Sequence, residues 1–191
     1  MIARLVIASK NEDKIAEIES VLLEAGLADS VVRGLEWDDV EETGATLEEN
    51  ALLKAASVAE ATGLPALGDD TGLEVDALGG RPGVYTARYA GNGASYEDNY
   101  RKLLEELEGE AERSARFRTV VALAFPDGSN ILASGQIDGV IASEPRGVGG
   151  FGYDPVFEVD GRTFAEIPAS EKNQMSHRGR ALRSLIREVG L

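Results

Sequence analysis

The 191-residue chain carries twelve aspartates, and two pairs of them are adjacent: Asp38-Asp39 in EWDDVEETG and Asp69-Asp70 in LGDDTG. Random placement at that frequency gives about 0.75 adjacent pairs, so adjacency alone carries no chemistry. The neighbours separate the two. Asp69-Asp70 closes the short run PALG and enters a glycine-rich stretch with the hydroxyl of Thr71 beside it. Glu42, in ETGAT, repeats that pattern of acid, threonine and glycine. A hard divalent cation bound to phosphate oxygens takes one or two protein carboxylates and keeps several waters, which is chemistry such acids can serve. Asp38-Asp39 lacks the hydroxyl–glycine turn and reads as surface charge.

The cations point the same way. There are five lysines against fourteen arginines, and Lys10, Lys14, Lys54 and Lys172 all lie beside glycine- or carboxylate-rich turns. Lys102 alone sits on an ordinary charged helix. Asn50 and Lys54 are spaced i,i+4 on one helix face, so Asn50 can bond a carboxylate while Lys54 reaches a phosphate. If Asn11 caps the first helix, Lys14 falls in its first turn; if Ser176 caps the last, His177 and Arg178 fall in the first turn there. Bases at a helix start oppose the macrodipole. A bound polyanion resolves both cases, taking backbone N–H groups and cations together. No G-x-x-x-x-G-K-[ST] loop and no G-x-S-x-G elbow is present. The residues by themselves indicate a Mg²⁺-dependent enzyme acting on a phosphate anhydride.

Composition narrows the classes. Zero cysteines exclude disulfides, thiolate metal sites and cysteine nucleophiles, and a single histidine argues against a histidine-rich zinc centre. A net charge of -15 opposes nucleic-acid binding. No apolar run reaches about 18 residues and the start does not read as a signal peptide, so a cytoplasmic protein with no membrane span is expected. Many acids with few lysines suit either a high-salt cytoplasm, where self-repulsion is screened, or a moderately acidic mesophilic enzyme.

The elements that must position these side chains follow from periodicity. RLVIAS (4–9) reads as a buried first strand, followed by a helix with Ile15, Ile18, Leu22 and Leu23 at helical spacing and a stop at Gly26. VVRGL (31–35) reads as a second strand. Thr46 and Glu49 stand at capping-box spacing, opening a helix that ends at Gly63-Leu64-Pro65. PALGDD is then a strand with the carboxylates at its C-terminal end. A polar helix is expected over 96–108, and a long hairpin about Pro126-Asp127-Gly128. A glycine-rich loop, GVGGFGYDPVF, runs into another strand, and SHRGRALRSLIREVG is the closing helix. Tyr85, Tyr89, Tyr96 and Trp37 are assigned to packing, with Trp37 or the 80s loop possible only as a dimer contact beyond that. This order indicates a mixed α/β or α+β sheet protein, one domain over 1–191 with two lobes and no linker.

Five blocks in order then resemble one family. ASKNEDK is similar to a T-x-N-x-x-K start, EETGATLEENALLKA to E-T-G-x-T-x-x-E-N-A-x-x-K-A, and GDDTGLEVDALGGRPGVYTARYAG to D-D-S-G-L-x-V-x-A-L-x-G-x-P-G-x-x-S-A-R-Y; GGFGYDPVF and TFAEIPASEKNQMSHRGRAL match the last two. These are the blocks of the inosine/xanthosine triphosphate pyrophosphatases, and they span residues 5–182. Thr71 stands where Ser is usual, and Ser9-Lys10 where Thr-Gly is common. The resemblance implies hydrolysis of ITP, dITP and XTP to the monophosphate and pyrophosphate. It also implies an elongated two-lobed fold around a long mixed β-sheet with flanking helices, an active-site cleft between the lobes, and a homodimer. By position, Ser9, Lys10, Asn11 and Lys14 fall on the first phosphate-binding element; Glu42 and Asp70 on the Mg²⁺ ligands, with Asp70 as the water-activating base. Asn50, Lys54 and Thr71 join the substrate contacts. Phe151, Gly152, Tyr153 and Asp154 fall on the nucleoside pocket, with Phe151 stacking on the base, and Lys172, His177 and Arg178 complete the substrate contacts. Whether Asp69 or Asp70 is the base stays open at this point.

Two other readings compete. A related pyrophosphatase family for modified pyrimidine and methylated nucleotides starts with an S-x-S-P-R-R-like motif, absent here. A non-catalytic nucleotide-binding sensor would bind ITP without turnover.

Overall fold

A computed structural model describes residues 2–190. In chain order its elements are β1 (Leu5–Ile7), α1 (Glu12–Glu24), β2 (Val31–Val32), α2 (Leu47–Thr62), β3 (Ala66–Val75), β4 (Pro82–Gly83), α3 (Tyr96–Glu106), β5 (Ser114–Ala124), β6 (Asn130–Ile141), β7 (Phe157–Val159), β8 (Arg162–Thr163), α4 (Ala169–Met175) and α5 (His177–Glu188). The strands form a mixed sheet in the order β2-β1-β3-β5-β6-β7-β8, with β4 paired to β3 off that path. The protein is therefore mixed α/β. It divides into two compact units. The first holds the chain up to Asp70, Thr119–Gly135 and everything from His177 onward; the second holds Thr71–Arg118 and Gln136–Ser176.

In the first unit β1 lies between parallel neighbours, with Leu5 opposite Val31 and Val6 opposite Ala66. Helices cover both faces, as buried parallel strands require. On one face Leu5, Ile7 and Leu67 pack against Ile15, Ile18 and Leu22 of α1 and Ala181, Leu182 and Leu185 of α5. On the other, α2 sits so close to β3 that a Cβ on Gly68 would lie 2.5 Å from the Ala51 carbonyl oxygen and 2.9 Å from the Ala55 nitrogen. Only glycine permits that approach. Helix α1 starts as expected, with the Asn11 side chain accepting from the Asp13 and Lys14 N–H groups. Gly63 ends α2 in the left-handed region at φ 65°. The Thr46 cap accepts from the Glu49 N–H, but the Glu49 carboxylate returns to the Ala45 N–H rather than to Thr46.

The second unit is built on an aromatic core. Phe157 meets Phe117 edge-on at 4.7 Å between centroids and Phe164 at 5.0 Å, with Leu73, Leu103 and Ile141 around them. Helix α3 opens with a reciprocal capping box between Ser95 and Asp98.

Two expectations are corrected, and one element is added. Strand β3 does not stop at the carboxylates; it continues to Val75, because Leu73 and Glu74 pair antiparallel with Gly83 and Pro82. The strand after Val31 is two residues long, broken by Gly34 at φ 74°. A short helix, α4, occupies a stretch to which periodicity assigns no element. The hairpin β5–β6 stands, with a turn closed by the Gly128 N–H to the Phe125 carbonyl.

Candidate active site

Strand alternation decides what Asp69 and Asp70 touch. Leu67 and Asp69 point to the α1/α5 face; Gly68 and Asp70 point to α2. On the first face Asp69 is buried and held by two cations. It accepts from Lys14 Nζ at 3.2–3.3 Å and from Arg178 Nε at 3.3 Å and Nη2 at 3.2 Å. The two bases placed unfavourably at helix starts thus share one counter-charge that the protein supplies. Arg178 Nη1 also donates to Glu17 of α1.

On the opposite face Asp70 accepts from Asn50 Nδ2 and Lys54 Nζ, each at 3.2 Å. Lys54 Nζ also donates to Glu42 Oε1 at 2.7 Å. Asn50 takes both roles its amide allows, because its oxygen accepts from the Gly44 N–H at 2.8 Å and so ties the 42–46 loop to α2. The two acids of the acid–Thr–Gly pattern converge on one ammonium.

The two aspartates titrate in opposite directions. Burial works against the charge on Asp69, but Lys14, Arg178 and Lys54 overcome it and hold the carboxyl far below the usual range. Asp70 is pushed up, by burial first and by Glu42, with Lys54 opposing. Burial pulls Lys14 down even though Asp69 opposes it, with Lys54 and Arg178 adding repulsion, since Lys14 shares one carboxylate with an arginine. Burial likewise opposes the charge on Lys54, but Asp70, Asp69 and Glu42 prevail and raise it.

The remaining expected residues of the first unit divide. Asn11 spends its acceptor on the α1 cap, and Ser9 Oγ accepts from the Asn11 N–H at 3.1 Å, so both shape the turn that carries Lys14. Lys10 is not brought to the cluster: it pairs with exposed Asp39 at 2.5 Å. His177 is buried, with Nδ1 2.6 Å from Thr119 Oγ1. A cavity of about 800 Å³ beside β2 is lined in part by Ile7, Ser9, Lys10, Val31 and Trp37.

In the second unit the glycine-rich loop is organised by Asp154. Its Oδ2 accepts from the Phe151 N–H at 2.9 Å and from Lys172 Nζ at 2.5 Å. Gly150, at φ 70°, has no room for a Cβ, which would lie 1.9 Å from that oxygen. Lys172 Nζ stands 4.9 Å from the Phe151 ring centroid, and Tyr96 meets the same ring at 5.9 Å. Tyr96, assigned to packing, is therefore part of this loop's aromatic surface. Gly152 turns the loop at φ 64°. Tyr153 faces the core instead: it is buried, donates to the Thr86 carbonyl at 2.9 Å, and burial raises its pKa well above that of an ordinary phenol. Thr71 lies on β3, partly buried.

Glu17 and Thr119 escaped the sequence reading. Glu17 lies one turn after Lys14 on α1, a spacing that could have flagged it. A threonine inside a β-branched strand gives no such signal.

With this geometry in place, comparison with known proteins decides the family. The Ham1 family model matches residues 5–188. The chain belongs to the Ham1 family. It is 52% identical over 194 residues to a dITP/XTP pyrophosphatase of Geobacter sulfurreducens, covering 98% of this chain and 96% of that protein. A dITP/XTP pyrophosphatase of Thermus thermophilus is 51% identical, at 96% and 90% coverage. Among solved structures, the Staphylococcus aureus Ham1 protein superposes with a TM-score of 0.85 at 39% identity, covering 97% of each chain. A HAM1 protein from Coxiella burnetii gives 0.83 at 41% identity and 98% coverage of each.

Proposed function

We propose that this chain hydrolyses deaminated purine nucleoside triphosphates, ITP, dITP and XTP, to the monophosphate and pyrophosphate, by attack of water on the α-phosphate. One observation carries the reading: Glu42 and Asp70, distant in sequence, converge on the Lys54 ammonium in a chain of the Ham1 family. Their partners fit the chemistry. Asp70 accepts the proton of the attacking water. Lys14 and Lys54 neutralise charge that develops on the leaving pyrophosphate. Asn50 orients Asp70 and, through Gly44, the loop carrying Glu42.

The donor set also fits Mg²⁺. Lys14, Lys54 and Arg178 face four carboxylates, Glu17, Glu42, Asp69 and Asp70, so the cluster alone does not favour a polyphosphate. Among the described residues no three acidic or imidazole groups form a ready metal cage. Two carboxylates, Glu42 and Asp70, would hold the ion, which suits a cation that keeps waters and takes phosphate oxygens. When bound, it supplies positive charge at the phosphate oxygens.

In the second unit the Phe151 ring, backed by Lys172 and Tyr96, offers a face on which a purine stacks. In the first unit, His177 and Arg178 are the candidate donors to a 6-oxo group. A cytoplasmic homodimer belongs to the same proposal. No helix among the described residues is long and apolar enough to cross a membrane. Light scattering on the purified protein tests the dimer.

The deciding experiment is pyrophosphate release from ITP, XTP, GTP, ATP and dUTP with Mg²⁺ and with chelator. ITP and XTP turnover that chelator abolishes is the expected result. Tight ITP binding without release would instead establish a sensor, and preference for dUTP would place the chain with pyrimidine enzymes.

A further inference from the structure

The chain reaches Glu42 along a stretch with little to hold it. Gly34 to Val40 belongs to no helix or strand, and among the described residues its backbone makes no hydrogen bond to other backbone. Asp39 pairs with Lys10, but the two side chains are 90% and 60% exposed, and such a pair holds weakly. Beyond Glu42 the chain is fastened to α2. The Gly44 N–H donates to Asn50 Oδ1 at 2.8 Å, and the Ala45 N–H to the Glu49 carboxylate at 2.6 Å. The backbone at Glu42 is thus tied to α2 from its C-terminal side.

Packing around the looser stretch is incomplete. Trp37, the chain's single tryptophan, lines two cavities: the one beside β2 and a second of about 460 Å³ against α2. Trp37 and Val40 line the second from the loop, and Leu53, Ser57 and Ala61 line it from the helix, one row spaced i, i+4, i+8. Leu53 is 38% exposed although it faces this space. An indole beside an unfilled row, on backbone with no ladder to break, belongs to the low-stability end of the molecule.

We propose that residues 34–41 form a strap that closes on α2, seating Trp37 and Val40 over Ser57 and Ala61 beside Leu53, and so fixes Glu42 from its second side. Apolar burial favours the closed form and the ordering of the strap opposes it. An ion held by Glu42 shifts that balance, because a carboxylate already fixed removes part of the ordering cost. The coupling is reciprocal: a seated strap strengthens ion binding by the same factor. Trp37 is thereby a positioning residue acting through Glu42. The link to Glu42 rests on the pyrophosphatase reading with its Mg²⁺ site, whereas the closure does not.

A single tryptophan makes the test clean. Acrylamide quenching of its fluorescence, excited where tyrosine is silent, reports the exposure of one ring. In wild type, MgCl2 at constant ionic strength should lower the quenching and shift the emission to the blue. Ser57 is an exposed helix residue, so its variants test the seat without touching the core. Ser57→Ala keeps the seat open and should behave as wild type; Ser57→Phe fills it and should abolish the fluorescence change. The MgCl2 concentration for half-maximal ITP turnover should rise about fivefold in Ser57→Phe, the low end of ordinary couplings, with kcat at saturating MgCl2 unchanged. Wild-type quenching that ignores MgCl2 overturns the proposal, and needs no variant that folds. So does a Ser57→Phe protein that keeps the wild-type fluorescence change. Loss of that change with an unaltered MgCl2 requirement would overturn the coupling to Glu42. Absence of turnover by wild type on any nucleotide would overturn the pyrophosphatase reading while leaving the quenching measurement standing.

Discussion

Replacing Asp69 by Asn and Asp70 by Asn should have unequal structural consequences, although the residues are adjacent and the changes identical. Asp69 has a side chain 1% exposed, and its loss leaves Lys14 and Arg178 without their shared counter-charge. Breaking a buried pair by removing one partner costs about 3–5 kcal/mol. Arg178 keeps Glu17, and the Lys14 side chain is 22% exposed, so the low end applies, about 3 kcal/mol. At about 2–4 °C per kcal/mol for a chain of this size, the thermal midpoint falls by about 6–12 °C. For Asp70→Asn, burial and Glu42 already oppose the native charge, and Lys54 keeps Glu42. The change there should stay within about 1 kcal/mol. The pH dependence follows from the same contacts. The Asp69 carboxyl is depressed in the folded state, so its contribution is fully present above the unfolded pKa near 3.8 and is lost as pH falls through the folded value. The gap between wild type and Asp69→Asn should therefore be flat from about pH 7 to 5 and narrow below about pH 4. Asp70, raised in the folded state, weighs against stability above its folded pKa, and that burden lifts as it protonates. Circular-dichroism melts and urea titrations across this range measure all of it. Equal losses in the two variants, or an Asp69→Asn midpoint within about 2 °C of wild type, would refute the assignment of Asp69 to the cation pair.

Asp70→Asn should abolish pyrophosphate release yet bind ITP by calorimetry; a near-wild-type rate would remove Asp70 as the base. Gly68→Ala should cost several kcal/mol, about 3 or more, because its Cβ meets backbone of α2 and cannot be accommodated by a side-chain shift, and melts will show it. Phe151→Ala should raise KM for ITP about tenfold, as expected for a lost base–aromatic stack, with kcat changed less. With a net charge of -15, a salt-adapted chain should gain thermal midpoint steeply from low to molar KCl, and a flat profile would rule that reading out.

Local chemistry was legible wherever it was decided locally. Asn11 caps α1, Ile15, Ile18 and Leu22 bury one face of it, and Gly63 ends α2, each by a rule that needs no distant partner. The misreadings share the opposite property. Asp-Asp-Thr-Gly looks like a turn because two adjacent acids are unfavourable inside a sheet, yet β3 runs through them since cations from α1, α2 and α5 supply the compensation. Helix α4, seven residues with Pro168 at its start and no side-chain cap bond, is too short to show a period. In the site, the residue types were readable but their pairing was not. Lys10 and Lys14 stand four apart in one motif, yet one ends on exposed Asp39 and the other on buried Asp69. Tyr153 lies inside the glycine-rich block, but its ring belongs to the core.

The pairing also explains why an enzyme of this construction can place two carboxylates side by side. In a sheet with one solvated face, alternation would bury one aspartate and expose the other, and only one could be tuned. Here both faces of the first unit are covered, α1 and α5 on the Leu67 side and α2 on the Gly68 side. Each aspartate meets a different set of charges without moving the backbone. Asp69, facing two cations, becomes a fixed anion that holds Lys14 and Arg178 in place. Asp70, facing Lys54 together with a second carboxylate, stays the easier of the two to protonate. A one-residue slip of β3 would exchange these environments and send the wrong aspartate to α2. The close contact at Gly68, which no other residue permits, forbids that slip. The glycine before the acid pair is therefore as much a determinant of which aspartate meets Asn50 and Lys54 as the acids themselves.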